Sequence, residues 1–539
     1  MIDLSRLADA VRYEGGVSRR LFLAYGAALA ALPQLEGRAI GRVTRRLAGD
    51  PFTLGVASGE PDESSVVLWT RLAPKPLEEH GGMTAENVEV TWELADDEGM
   101  KTNLKTGTTV ATPQLGHSLR VVVEGLKPDR WYFYRFRAGD ATSPVGRTRT
   151  TPERGATPEK LNFAFASCQH FEQGLFTAFD HMAKDELDLV VHLGDYIYEY
   201  PHNPKAKTRL VREHSGPKDG KIKTLEDYRN RHAQYRSDVL LQKAHARCPW
   251  LVTWDDHEFD NNYANDIQER QPKGKERTPP TAFLEQRAAA YQAYYEAMPL
   301  RPFSVPHGPH MKLYRTVPFG RLAEFQVLDT RQYRTPQPND DGLKPLNEEA
   351  LNPKNTLLGA EQANWLKAAL MKSPAAWNVL AQQVMMGMVE ITYGGRTGYA
   401  MDQWPGAAAE RMKLVRWLAE RRVPNPVVLT GDIHSNWVND LRVDDREHKT
   451  PVVATEFVGT SISSGGNGTA DTKGMDEFLA ANPCVKFMNR QRGYVRCAVT
   501  KKAWRSDYVI VEDVLKAGGA AAVKASFVVE SGKPGAQKA

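Results

Sequence analysis

Four apolar runs in this chain each end in side chains able to bind a metal ion. Leu161–Ser167 ends at Cys168, and Leu189–Leu193 runs into Gly194-Asp195-Tyr196-Ile197-Tyr198. Leu251–Trp254 ends in Asp255-Asp256-His257-Glu258, and Pro426–Thr430 in Gly431-Asp432-Ile433-His434. In open α/β folds, ligands gather beyond the carboxyl ends of the strands, so the placement says more than the residue types do. One Gly-Asp after a strand is a turn or a helix cap. Four such ends in order point to a shared site.

The chemistry that asks for such a cluster is attack on an ester that is already anionic. Phosphate esters repel a second anion, and two adjacent cations screen that charge, acidify a bound water and clamp the attacking and leaving oxygens. A carboxylate between two metals can bridge them, and Asp195 is the natural candidate. Thiolate, phenolate, carboxylate and imidazole together suit Fe³⁺, whereas aspartate-rich sites suit hard ions such as Ca²⁺ or Mg²⁺.

The elements that must position these groups follow two grammars. From 152 onward, apolar strands alternate with helical stretches such as Phe283–Met298 and Gln362–Met371, and Phe171–Leu187 also reads as helical. That alternation predicts an α/β layered domain over 152–517. Residues 50–151 instead carry short β-branched or aromatic runs between turns: Ser64–Thr70, Val88–Leu94 and Ser118–Val123. Leu126-Lys127-Pro128 leading into Trp131–Phe136 resembles the E–F corner of a fibronectin type III sandwich, which predicts a small all-β domain without chemistry of its own. The stretch 518–539 is rich in Ala, Gly and Lys and reads as a tail that frays.

The N-terminal 1–49 carries an address. Ser18-Arg19-Arg20-Leu21-Phe22-Leu23 resembles the twin-arginine export motif, followed by the short apolar run Ala24–Leu32 and a linker. That run is far below the roughly 20 residues needed to span a bilayer. The expectation is export by the twin-arginine machinery to the periplasm or the medium, with no stable membrane span.

The motifs then become specific. Gly194-Asp195-Tyr196-Ile197-Tyr198 is similar to the GDxxY motif of purple acid phosphatases, in the calcineurin-like metallophosphatase superfamily. ASCQ at 166–169, WDDHEFDNNYA at 254–264 and GDIHSNWVNDL at 431–441 depart from that superfamily, and LDTRQYR at 328–334 and EFVGTSISSGG at 456–466 accompany them. With HLGDYIYEY at 192–200, they resemble the PhoD-like alkaline phosphatases over about 50–500. The resemblance implies a metallophosphatase-type layered β-sandwich flanked by helices, and an enzyme acting on phosphomonoesters, phosphodiesters or both. It implies Fe³⁺ on Cys168, Asp195, Tyr198 and His434, and Ca²⁺ on bridging Asp195, Asp256 and Asp432. His257 would contact phosphate or protonate the leaving group.

Further residues have two readings each. The superfamily's additional metal-binding histidine has no counterpart, and Gln383 or Gln382 either replaces it at calcium or makes a core-edge hydrogen bond. Asn262 is a calcium contact or a turn residue. Arg231 and Arg236, in DYRNRHAQYRSD at 227–238, are phosphate clamps or a solvated helix face. His192 reads as a strand-core histidine, and Trp404-Pro405 as a pocket rim or a turn. Cys484 and Cys497 are a bridge or two thiols.

With 25% charged residues and a net charge of +4 over 539 residues, the composition is that of a soluble globular protein without a nucleic-acid-binding module. Two other functions compete with the phosphatase reading. One is a phospholipase D-like diesterase acting on lipids or cell-wall polymers. The other is a non-catalytic exported binding protein with a degenerate metal site.

Overall fold

Runs such as Trp377–Ala381 and Pro426–Thr430 are apolar on both faces, so they are stable only inside a layered sheet. The computed structural model describes residues 49–213, 220–269, 276–393, 395–470 and 474–539, and both runs are wholly buried in it. The twin-arginine motif lies outside the described residues.

Two sheets face one another. A seven-stranded sheet contains Ala323–Val327, Trp377–Ala381, Pro426–Thr430 and Ala454–Val458 as neighbouring parallel strands. A ten-stranded sheet centres on Lys160–Ala166, Leu189–His192 and Trp250–Val252, also parallel. Alternation assigns each side chain to a layer. Val379, Val427 and Leu429 point inward against Phe163, Phe165 and Leu251. Leu380 and Val428 point outward, with core residues of the helices Gly359–Lys372 and Ala408–Glu420. On the other outer face, Trp250 and Val252 join Tyr291 and Tyr294 of the helix Pro280–Ala297. The order is therefore helices, sheet, sheet, helices, the layered sandwich the sequence predicts. Phe163 shows how tightly the centre packs, lying edge-on to Phe325 at 5.3 Å and to Trp504 at 5.4 Å. Truncating such a side chain costs about 3–5 kcal/mol.

The N-terminal strands form a sandwich with a core of Phe52, Val66, Leu68, Val90, Tyr132 and Tyr134. Tyr132 Oη accepts a hydrogen bond from Lys127 N at 2.9 Å, the tyrosine-corner contact of fibronectin-like domains. One of its sheets continues the ten-stranded sheet, since Val56–Gly59 lies parallel beside Trp250–Val252.

Two expectations need correcting. Residues 518–539 do not fray: Ala521–Glu530 and Lys533–Lys538 are the outermost strands of the ten-stranded sheet. Ala525, Phe527 and Val529 alternate into the central core, a period hidden by the Ala/Gly/Lys composition around them. The stretch Phe171–Leu187 is α-helical only over Thr177–Met182. Gly174 holds its N-terminal half close to Ser463 and Val514, where an added Cβ would meet atoms at 2.9–3.0 Å. All four cysteines are free and buried, including Cys484 and Cys497.

Candidate metal centre and catalytic site

Three of the four strand ends deliver their side chains through an unusual backbone turn. Cys168 (φ 60°), Asp195 (φ 56°), Asp432 (φ 63°) and His434 (φ 53°) all adopt left-handed backbone, sparsely populated by residues with a side chain. Such strain persists where surrounding contacts over-determine it, commonly at functional sites. The two Gly-Asp pairs need glycine for close approach. A Cβ on Gly194 would lie 2.4 Å from Asp255 Cβ, and one on Gly431 2.6 Å from Ser167 Oγ. The loops are then tied together. Cys168 N donates to Gly194 O (3.1 Å) and Gln169 N to Asp195 O (3.0 Å). The Glu258 carboxylate accepts from the backbone of Asp195 (3.0 Å), Tyr196 (2.5 Å) and Asp255 (2.8 Å).

On one side of the site, ligand atoms of Cys168, Asp195 and His434 lie within 4.8 Å of one another. Tyr198 joins them, its hydroxyl donating to Asp195 Oδ2 (2.9 Å), 3.1 Å from His434 Nε2, and accepting from Ser464 Oγ (2.7 Å). Burial and the Asp195 charge hold the Cys168 thiol and the Tyr198 phenol well above their usual values. Three buried acids and an imidazole converging on one point fit a metal ion, whose charge would reverse that cost.

On the other side, Asp255, Asp256 and Asp432 also place carboxylate oxygens within 4.8 Å. In their midst lies a residue for which the sequence suggested no role, Arg331 of LDTRQYR. It is fully buried. Its Nε donates to Asp255 Oδ1 (2.5 Å), Nη1 to Asp402 Oδ2 (2.8 Å) and Nη2 to Asp432 Oδ1 (3.2 Å), with Asp256 Oδ1 at 3.6 Å. Burial raises the Asp256 carboxyl, but Arg331 and His257 outweigh it and leave it below the ordinary range. Asp432 is pushed up to about 6 by burial, against the pull of Arg331. Asp255 Oδ2 and Asp256 Oδ1 are buried without a hydrogen-bond partner, which fits a cation on this side too.

Asp195 belongs to both sides, since Asp195, Asp256 and His257 form a further cluster of ligand atoms within 4.8 Å. His257 is held in place there. Its Nδ1 lies 2.8 Å from Glu199 Oε2, and its ring stacks on Tyr198 with centroids 4.1 Å apart. Glu199 is anchored in turn by Lys221 (2.8 Å), which also reaches Asp260 (2.9 Å). Burial opposes charge on His257, but Asp256, Asp195 and Glu199 together raise it well above the ordinary value.

Several sequence expectations resolve differently. Arg236 is no phosphate clamp: it is buried over the Trp69 ring (4.3 Å) and donates to Ala297 O (3.0 Å). Arg231 is buried as well, its Nη1 donating to the carbonyls of Tyr198 and Tyr200 (2.9 Å to the latter), so it braces the Asp195 loop from behind. Gln383 spends its amide on Thr330, Thr253, Trp254 and Leu328, and Gln382 on Val384, Thr430 and Trp404. Both are core-edge hydrogen bonders rather than calcium contacts. Asn262 is a left-handed turn residue (φ 49°) whose N–H donates to Asp256 Oδ2 at 2.7 Å. His192 is a buried strand residue beside Trp250. Trp404 is fully buried, and its neighbours reach the site instead: Asp402 pairs with Arg331, and Gln403 Nε2 donates to Asp432 Oδ2 (2.5 Å). Glu199, Glu258, Arg331, Asp402 and Gln403 were the functional residues missed. Glu199, Glu258 and Arg331 lay inside blocks already noted at strand ends, and that position was the available signal.

Facing sheets whose strand ends pool carboxylates, a thiol, a phenol and imidazoles define a layered α/β hydrolase of the metal-assisted kind. A family model described as PhoD-like phosphatase matches residues 163–508, and one for that family's N-terminal domain matches 38–152. Alkaline phosphatase D of Bacillus subtilis (strain 168) is 51% identical over 489 residues, which cover 90% of this chain and 82% of that protein. A solved structure of PhoD superposes with a TM-score of 0.86 at 49% identity, covering 92% of this chain and 93% of that one. The chain belongs to the PhoD-like phosphatase family, and is a phosphoric ester hydrolase.

Proposed function

We propose that the chain hydrolyses phosphomonoesters, phosphodiesters or both with Fe³⁺ held by Cys168, Asp195, Tyr198 and His434, and Ca²⁺ held by Asp195, Asp256 and Asp432. The observation that carries this reading is Asp195, whose carboxylate shares one cluster of ligand atoms with Cys168 and His434 and another with Asp256 and His257. Thiol, phenol and imidazole on one side of it suit Fe³⁺, and carboxylate oxygens on the other suit Ca²⁺. Bound there, the ions would screen the ester's charge and acidify a water.

The side chains supply the rest. Glu199 holds His257 by Nδ1, which leaves Nε2 as the nitrogen for the ester. As the water oxygen bonds to phosphorus and the bond to the leaving oxygen breaks, the departing oxygen takes a proton from Nε2, and the proton shed by the attacking water leaves through solvent. Arg331 keeps Asp256 and Asp432 aligned. The N-terminal sandwich positions the catalytic sheets and does no chemistry.

Chelation is expected to abolish turnover of p-nitrophenyl phosphate and its bis-p-nitrophenyl diester, and calcium to restore it. Elemental analysis is expected to find iron. Zinc alone would overturn the assignment, and full activity after chelation would overturn metal dependence. Export through the twin-arginine machinery belongs to the same reading, resting on Arg19 and Arg20. No helix among the described residues is long and apolar enough to cross a membrane. Replacing both arginines by lysine is expected to retain the protein in the cytoplasm, and unchanged secretion would remove this part of the proposal.

A further inference from the structure

Behind the Asp195 loop, where the N-terminal sandwich meets the helices Leu225–Arg236 and Pro280–Ala297, lies a small cavity of about 10 Å³. Trp69 and Arg71 line it from the sandwich, and Arg229, His232, Arg236 and Glu296 from the helices. Three guanidinium groups meet one carboxylate there. Glu296 is taken up by Arg229 in a two-point pair, with both contacts at 2.6 Å. Arg71 and Arg236 hydrogen-bond only to backbone oxygens, and Arg236 also lies over the Trp69 ring at 4.3 Å. Arg71 Nε donates to Gly116 O (2.8 Å) and Nη1 to Arg229 O (3.2 Å), while Arg236 Nη2 donates to Ala297 O (3.0 Å).

The remaining polar atoms are stranded. Arg71 Nη2, Arg236 Nη1 and both ring nitrogens of His232 are buried without a hydrogen-bond partner. The three residues are only 4%, 2% and 2% exposed. Burial pushes the Arg71 guanidinium down to about 10, still charged at neutral pH. Two buried cations without a carboxylate in contact are costly, on the order of several kcal/mol each. A water molecule could satisfy a donor but adds no negative charge to that of Glu296, which is paired with Arg229 and must also serve Arg71. An anion does both.

We propose that this cavity binds one small monovalent anion of halide size, held by Arg71, Arg236 and His232. Space of about 10 Å³ admits one compact occupant and excludes phosphate and organic acids, which leaves a single-atom anion, a halide. The site has a structural consequence. Tyr196, in the segment that carries Asp195 and Tyr198, also lines the cavity. The anion therefore pins the sandwich to the back of the loop that shapes the metal centre.

Two measurements on the full chain test this. Protein desalted into sodium gluconate and then denatured is expected to release one chloride per chain by ion chromatography if the ion is trapped. Crystals grown from sodium bromide are expected to show an anomalous peak within hydrogen-bond reach of Arg71, Arg236 and His232 if it exchanges. Either signal sustains the proposal. Absence of both leaves water as the occupant and overturns it. The double variant Arg71→Met, Arg236→Met is expected to lose whichever signal the wild type gives, and retention of that signal would also overturn the assignment. Should the double variant fail to fold, the wild-type measurements decide alone.

Discussion

The two sides of the metal centre handle buried charge in opposite ways. Around Cys168 and Tyr198 the acids are buried with their protons on, because desolvation and the neighbouring Asp195 oppose ionisation. Around Asp256 and Asp432 the protein supplies its own cation, Arg331, bonded or paired to four aspartates. On one side the thiol and the phenol keep their protons until a metal replaces them. The other is partly neutralised before any metal arrives. The difference teaches that a carboxylate cluster can be preassembled by a fixed guanidinium, whereas a thiol–phenol cluster is preassembled by keeping its protons.

The largest expected effect comes from the residue both sides share. Asp195→Asn is expected to lower metal content on both sides, and kcat/KM by several kcal/mol of transition-state stabilisation, on the order of 10³-fold or more. Iron retained at full stoichiometry would separate the two sides and break the picture of a shared ligand. Next comes His257→Ala, expected to lower kcat by about 10² to 10⁴ while metal content stays near wild type. The loss is expected to shrink for substrates with good leaving groups, and an emptied metal site would make His257 a ligand instead.

Arg331→Met sharpens the comparison directly. Removing one partner of a buried ion-pair cluster costs about 3–5 kcal/mol, read by denaturant unfolding of the metal-free protein. Calcium is expected to recover part of that loss, because a second cation can replace the first. Absence of any calcium effect would place the ion elsewhere. The smallest effect belongs to the other side. Tyr198→Phe in metal-free protein removes the hydrogen bonds to Asp195 and from Ser464, and is expected to cost only about 1–3 kcal/mol. In the iron-loaded protein the same change is expected to shift or remove a tyrosinate absorption band.

The site was legible where chemistry is local in sequence. Cys168, Asp195, Asp256, Asp432 and His434 each follow an apolar run directly, so strand and ligand are read together. Arg331 was not assigned a role because its contacts lie 76, 71 and 101 positions away, to Asp255, Asp402 and Asp432. The segment LEDYRNRHAQYR looks like a solvated helix face, yet most of it is buried, its arginines answered by carbonyls and Glu296 from other elements. Polarity alone could not show that. The fold was legible in its layers, since wholly apolar strands alternate with amphipathic helices. The strands beyond 518 were missed because small residues weaken the period-two signal.

The ten-stranded sheet also sets a timetable for making the protein. Lys160–Ala166, the strand that ends at Cys168, pairs on one flank with nearby Leu189–His192 and on the other with Gly493–Thr500. During synthesis the first flank can close early, but the second stays open until residues 493–500 have left the ribosome. Throughout that interval the nascent chain carries an unpaired strand edge, a known template for aggregation, beside a thiol that is not yet enclosed. A ribosome paused before residue 493 would therefore hold a chain that has its ligands but not the wall that encloses them.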